Sequence, residues 1–187
     1  MGAMKKELRG QVALVTGGSK GIGLGIARAL VAQGVHVAIT GRGASSLDDA
    51  KRALEGLSGG QVLTLAVDVR DHAGMTAAVG DIVARFGGLD IVVNNAGMGT
   101  FVPVSEMTHE AWTALIDTNL TGVFNTCRAA IPALRARGGG YIINISSLAG
   151  KNAFVGAAAY CASKAGLNAF SETLMLEVRH DNIRVTC

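Results

Sequence analysis

The sequence predicts a doubly wound α/β domain, a parallel sheet with helices on both faces. Three observations carry this. Short runs rich in Val and Ile alternate with segments of helical apolar spacing, an order that requires right-handed crossovers between parallel strands. Aromatic residues are only 4% of the chain, while 49% is hydrophobic, so the core is built from Val, Ile, Leu and Ala, as suits a buried parallel sheet. Glycine occurs 26 times in 187 residues, about twice its usual share of roughly 7%, which implies tight turns between elements. A chain of this length buries roughly 70% of its unfolded surface, and a single domain over residues 5–187 is expected.

The elements follow in order. Gln11 to Thr16 reads as the first strand, and Ile22, Ile26, Ala29 and Leu30 mark the helix after it. Val35 to Thr40 is the second strand, Leu47 to Leu57 the second helix, Val62 to Asp68 the third strand and Met75 to Phe86 the third helix, glycines closing each helix. Asp90 to Asn94 is the fourth strand. A long helix is expected from about Glu110 to Arg137, with a kink, or a division into two helices, at Pro132. Tyr141 to Ser146 is the fifth strand. The helix from about Ala158 to His180 is apolar nearly all round, more than one sheet face requires, and a subunit contact is expected to cover the surplus. Ile183 to Cys187 begins a further strand.

Composition excludes several classes of function. The 17 Lys and Arg are spread among 14 Asp and Glu, net +3, apart from a small cluster at Lys5, Lys6 and Arg9, so no nucleic-acid-binding stripe is present. Apolar stretches are broken well before about 18 residues, and no apolar segment follows the basic start. Neither secretion nor membrane insertion is expected, and the location implied is cytoplasmic. Cys127, Cys161 and Cys187 are odd in number, form no C-x-x-C pair and lie in apolar runs, which suggests buried, reduced thiols. His36, His72, His109 and His180 show no metal spacing, and no metal is expected. Residues 1–4 read as a vector-derived remnant ahead of a start at Met4.

The first strand runs through Thr16-Gly17-Gly18-Ser19-Lys20-Gly21-Ile22-Gly23 directly into a helix. Glycines at such a turn let a phosphate approach the backbone, and the helix N-terminus offers free N–H groups and its positive dipole end. The spacing Gly-x-x-x-Gly-x-Gly differs from the usual dinucleotide fingerprint, and tight turns without a ligand are the alternative. Gly17-x-Ser19-x-Gly21 also matches a hydrolase nucleophile elbow. The chain before Gln11 is too short to supply the oxyanion-hole strand, so Ser19 is better read as a phosphate contact. Farther along, Tyr160 and Lys164 lie four apart at a helix start and so share a face. An ammonium near a phenol favours the phenolate and suits it to proton transfer; a solvated Lys beside an amphipathic Tyr is the other reading. Ser146 and Ser147 end the preceding strand, at the carboxyl edge where open parallel sheets bind ligands.

These segments together resemble the short-chain dehydrogenase/reductase family, a Rossmann-like fold. The T-G-x-x-x-G-x-G loop of Thr16 to Gly23, the run Asn94-Asn95-Ala96-Gly97, Asn119 with Gly122, and Ser147 with Tyr160 and Lys164 occur in the family's order, and the resemblance spans residues 11–187. It implies a ketone reduced to a secondary alcohol by NADP(H). Tyr160 would be the general acid, Ser147 would hold the carbonyl oxygen, and both would touch substrate. Lys164 would bind the nicotinamide ribose and assist Tyr160. Asn119 would hold a water linking Lys164 to solvent, its alternative being a helix-interior Asn bonded to backbone. Gly17, Ser19, Lys20, Gly21, Ile22 and Gly23 would cradle the dinucleotide, Tyr160 and Lys164 completing the site at its nicotinamide end. Asp68 and Val69 would meet the adenine, with a helix cap as the other reading of Asp68, and Asn95, Ala96 and Gly97 would line the adenosine ribose or serve the sheet alone.

The resemblance further implies a homotetramer or homodimer and, as leading substrate, a 3-oxoacyl thioester on acyl carrier protein, as in fatty acid biosynthesis. Sugar, steroid and other small secondary alcohols stay open, because Met98 to Val104 and Leu148 to Val155 read as small, apolar lining that selects nothing. A non-catalytic dinucleotide-sensing or scaffold protein is the rival class; it would be expected to lack one of Ser147, Tyr160 or Lys164. Relatives usually run several tens of residues further, so this chain is expected to be a piece of a longer polypeptide, its substrate region truncated. NADPH is expected over NADH. The place after the second strand where a carboxylate would grip both ribose hydroxyls is held by Gly41 and Arg42, Lys20 adds a second cation, and Asp48 and Asp49 belong to the next helix.

Overall fold

Six parallel strands form one sheet in the order β3-β2-β1-β4-β5-β6, in a computed structural model that describes residues 7–57 and 59–187. The expected remnant at residues 1–4, with Lys5 and Lys6, lies outside them. The strands are β1 (Val12–Thr16), β2 (His36–Gly41), β3 (Val62–Ala66), β4 (Ile91–Asn94), β5 (Gly140–Asn144) and β6 (Ile183–Thr186). Every residue of β1 and β4 is buried, which explains why these strands read as unbroken apolar runs rather than alternations.

Two helical layers cover the sheet. Helices α1 (Gly21–Ala32) and α2 (Ala44–Glu55) pack Ala27, Val31, Leu47 and Leu54 against Ala13, Val15, Val37 and Ile39. On the other face α3 (His72–Phe86), α5 (Gly122–Ala136) and α6 (Ala158–Val178) set Met75, Ile82, Leu134, Leu167 and Leu174 against Val12, Leu14, Val92 and Ile142. The alternation of Ala13 and Val15 with Val12 and Leu14 is the period-two pleat serving both layers.

The expected long helix is three segments: α4 (His109–Ile116), a π turn over Asp117–Thr121 in which Gly122 N donates to Asp117 O, and α5. Pro132 sits inside α5 without dividing it. Both Pro132 and Arg128, whose carbonyl loses its donor there, are exposed, so water can serve that carbonyl. The irregularity lies at Asn119 instead. Strand ends move too: β3 stops at Ala66, leaving Asp68 in the loop, and Asp71, not Asp68, caps α3 by accepting from Gly74 N. Only Cys127 is a buried thiol; Cys161 is half-buried and Cys187 exposed, because α6 turns Cys161 away from the core and Cys187 follows the last strand.

At the amino edge of the sheet, Asp90 is 2% exposed and accepts from Val12 N at 2.9 Å and from Arg137 at 3.0 and 3.2 Å. This ties the end of α5 to β1 and β4, away from the carboxyl edge. Among the described residues no helix is long and apolar enough to cross a membrane, and no cluster suits a metal ion.

Candidate active site

The strand order reverses between β1 and β4, and there the loops after the two strands part to open a cleft of about 390 Å³. Gly17 has φ +63°, and a Cβ on it would come within 2.9 Å of Ala96 Cα; one on Gly23 would stand 2.4 Å from Gly17 O. Side chains at either place would push the loop off the sheet. Helix α1 begins at Gly21 with no side chain capping its first turn, so those N–H groups face the cleft as anion donors. Ser19, Lys20, Gly21 and Ile22 line it from this side, with Gly41 and Arg42 at the end of β2.

The opposite wall is Asn95, Ala96 and Gly97, latched to β1. Asn95 Nδ2 donates to Thr16 O and Gly17 O at 3.0 and 3.2 Å, and Thr16 Oγ1 accepts from Asn95 N and Ala96 N. Asn95 thus has a structural role as well as a cleft-facing position. Asp68 and Val69 form the third side. Arg70 grips the Asp68 carboxylate at 2.7 to 3.1 Å and, against the opposing effect of burial, holds it below the usual carboxylate range, with Arg42 adding to the pull. Asn125 donates to Val69 O, and a Cβ on Gly122 would strike Val69 at 2.6 Å, which accounts for Gly122 one turn after Asn119.

Asn119 is 1% exposed. Its amide accepts from Met98 N at 2.8 Å and donates to Met98 O and Ser163 Oγ at 2.9 and 3.1 Å, and Ser163 Oγ in turn donates to Tyr160 O. The side chain therefore splices the loop after β4 to the first turn of α6, with both amide protons committed and one lone pair of Oδ1 still open. Its backbone partner, Met98, belongs to a distant segment rather than to its own helix.

Tyr160 and Lys164 share one face of α6, with Lys164 Nζ 5.9 Å from the Tyr160 ring centroid. Lys164 is 6% exposed and donates to Ile145 O at 2.7 Å. Burial pushes its ammonium below the ordinary lysine value, partly opposed by Cys187. Ser147 follows β5 and opens a 3-10 turn, Leu148–Gly150, where its Oγ accepts from Ala149 N at 3.1 Å.

The side chains beside Tyr160 are not small. Phe101 meets Tyr160 edge-on at 5.6 Å between ring centroids and Phe154 at 5.9 Å. These rings lie far apart in sequence, so no local pattern announces the cluster. Met98, expected as lining, does line the cleft, and so do Thr40, Val67 and Thr118, which were not foreseen; only the place of Thr40 at a strand's carboxyl end signals it. Beneath the site Asn94 Nδ2 donates to Asn144 Oδ1 and Asn144 Nδ2 to Ser171 Oγ, each at 2.8 Å. Cys127 lies against Asn94, its thiol pushed up to about 12 by burial, which makes it inert.

Known proteins share this sequence pattern and fold. The sequence matches the profile of the family described as short chain dehydrogenase over residues 11–187. It is 40% identical to a 3-oxoacyl-acyl-carrier-protein reductase of Chlamydia muridarum, covering 98% of this chain and 74% of that protein. A metagenomic short-chain oxidoreductase solved with NADP superimposes with a TM-score of 0.90 at 41% identity, over 97% of this chain and 81% of that one. Carveol dehydrogenase of Mycobacterium avium, solved with NAD, gives a TM-score of 0.91 at 30% identity over 96% and 69%. Sequence and fold agree over nearly the whole chain, and the protein belongs to the short chain dehydrogenase family of oxidoreductases.

Proposed function

We propose that the protein is an NADP(H)-dependent carbonyl reductase whose working groups are Ser147, Tyr160 and Lys164. The observation that carries this reading is the chain of hydrogen bonds from Met98 on the cleft wall through Asn119 and Ser163 to Tyr160 O, which ties the start of α6, where Tyr160 and Lys164 share a face, to a cleft walled by a glycine loop, an uncapped helix N-terminus and the cations Lys20 and Arg42. That cleft fits a dinucleotide phosphate: a Cβ would fill the close approach at Gly17, and the donors around it are cationic or N–H groups.

When bound, the dinucleotide supplies the hydride that reaches the carbonyl carbon. Tyr160 gives its hydroxyl proton to the carbonyl oxygen, so that a secondary alcohol forms. Ser147 Oγ accepts from Ala149 N, which leaves its O–H to donate to that same oxygen and hold it in place. Lys164, fixed on Ile145 O, holds the ribose and keeps a positive charge near Tyr160. Asn119 positions Tyr160 through Ser163. A water resupplying the proton would be held by donating to the open lone pair of Asn119 Oδ1 or to a carbonyl of the π turn, since both Asn119 amide protons are committed.

The 3-oxoacyl thioester is the leading substrate, supported by the Chlamydia relative. An apolar cyclic alcohol or ketone is the second reading, favoured by the Phe101–Phe154–Tyr160 rings and by the carveol dehydrogenase neighbour. A panel of both ketone classes assayed with NADPH decides between them, and no turnover of either removes the reductase reading. Assembly as a dimer or tetramer is part of the proposal, because Trp112, Phe124, Met175 and Leu176 lie exposed on α4, α5 and α6. Light scattering that finds only monomer at micromolar concentration counts against it.

A further inference from the structure

The face of α6 that carries Tyr160 and Lys164 continues one turn further to Asn168. Lys164 grips Ile145 O. Asn168 grips the chain on both sides of Ser147: its Oδ1 accepts from Ser146 Oγ at 2.6 Å, and its Nδ2 donates to Gly150 O at 3.3 Å. The turn between is pressed onto the helix, for a Cβ on Gly150 would come 2.6 Å from Asn168 Nδ2 and 2.9 Å from Lys164 O. Apolar packing does little to anchor it. Leu148 is 80% exposed, Lys151 is exposed, and Ala149 alone is buried. Within the turn Gly150 N donates to Ser147 O, Lys151 N and Asn152 N donate to Leu148 O, and Ala149 N donates to Ser147 Oγ. These bonds give the turn its shape, and the contacts from α6 orient that shape relative to Tyr160.

We infer that Asn168 is a positioning residue that acts through Ser147, setting the serine hydroxyl against the carbonyl oxygen that Tyr160 protonates. The inference rests on the reductase reading of Ser147 and Tyr160. Only an amide fits this place. It must accept from a hydroxyl and donate to a carbonyl at once, whereas a carboxylate at residue 168 would face Gly150 O without a proton to give, and an isosteric Leu would bind neither.

The test compares Asn168→Leu, Asn168→Asp and Ser146→Ala in the wild-type and Ser147→Ala backgrounds, with NADPH and the ketone turned over best in the panel. Asn168→Leu is expected to lower kcat about tenfold, and the other two variants about threefold, because small misplacements of a working group cost rate rather than affinity. The ketone KM and NADPH Kd should move less than about twofold, and in the Ser147→Ala background Asn168→Leu should add less than about a further twofold. Full kcat in Asn168→Leu, the same fold-loss in both backgrounds, or a parallel loss of NADPH affinity would each overturn the inference. Ser146→Ala breaks the same clamp by removing one oxygen and decides the matter if the Leu variant does not fold. Hydrogen exchange at the amides of residues 149–152 gives a readout free of turnover. It should quicken in Asn168→Leu while the sheet amides keep their protection, and unchanged exchange refutes the clamp. A wild-type protein inactive on every ketone refutes the reductase reading and the catalytic half of this inference with it, leaving exchange to judge the clamp alone.

Discussion

Cofactor choice can be moved at two neighbouring residues. A 2′-phosphate at the end of β2 would meet Lys20 and Arg42, both on the cleft wall. Among the described residues that line the cleft the carboxylate is Asp68, and Arg70 holds it. A charge-assisted contact contributes about 1.5–3 kcal/mol. Both cations are exposed, where salt screens them, so the lower bound applies and the wild type should prefer NADPH about tenfold in kcat/KM. Gly41→Asp combined with Arg42→Ala should reverse that order. A Cβ on Gly41 would lie 3.4 Å from Ser19 Oγ and 3.6 Å from Leu47 Cδ2, ordinary contact distances, and Gly41 has no left-handed φ, so the aspartate enters without strain. Its carboxylate then accepts from ribose hydroxyls and repels a phosphate. The assay is kcat/KM for each dinucleotide at low and moderate salt. Equal wild-type values, or a variant whose preference stays put, would refute the reasoning.

Tyr160→Phe removes the proton donor and keeps the ring against Phe101; kcat should fall by at least about 10²-fold with NADPH binding intact, and retention of more than about a tenth of kcat would show that another group is the acid. Arg137→Met removes the guanidinium that donates to the buried Asp90 carboxylate. Because the guanidinium side is 37% exposed, the loss should be about 1–3 kcal/mol, below the range for a fully buried pair; a urea midpoint unchanged within error would contradict this. Asp68 has a folded pKa below its ordinary value near 3.8, so the stability it lends is fully present above that value and fades as pH falls through the lowered one. Arg70→Ala should flatten that part of the acid limb in melting curves taken between about pH 2 and 5; an acid limb of unchanged slope would show that the pairing contributes nothing.

The sequence carried the sheet well where both faces of a strand are buried. The Val and Ile runs of β1, β2 and β4 sit between two helical layers, and their composition reports that environment directly. Asp-Thr-Asn-Leu-Thr contains no breaker, so nothing in it announced a π turn at residues 117–121, whereas Pro132, the obvious candidate, rests on an exposed helix surface that tolerates it. The glycine loop, the Asn95 segment and the Tyr160–Lys164 pair were legible because each is a local pattern. Phe101 and Phe154 were not, since they meet only after the loops following β4 and β5 close on each other. Asn168 was hidden for a different reason: in the sequence it is one polar residue in an apolar helix, and its meaning depends on which turn lies opposite.

The reversal of strand order has a consequence beyond opening a cleft. Strands β1 and β4 are far apart in the chain yet adjacent in space, joined by only three registered pairs, Ala13 to Ile91, Leu14 to Val92 and Val15 to Val93. Each end of this seam is latched by side chains, Asp90 on Val12 N at one and Asn95 on Thr16 O at the other. A dinucleotide in the cleft would lie across the upper latch, against loops from both halves of the sheet, and would act as a staple. At a concentration of 100 Kd such a ligand would add about 2.7 kcal/mol to the free energy of opening. Because β1 and β4 are buried at the centre of the sheet, such a ligand would act on the stability of the whole domain, which would fall toward its unliganded value as the dinucleotide runs low.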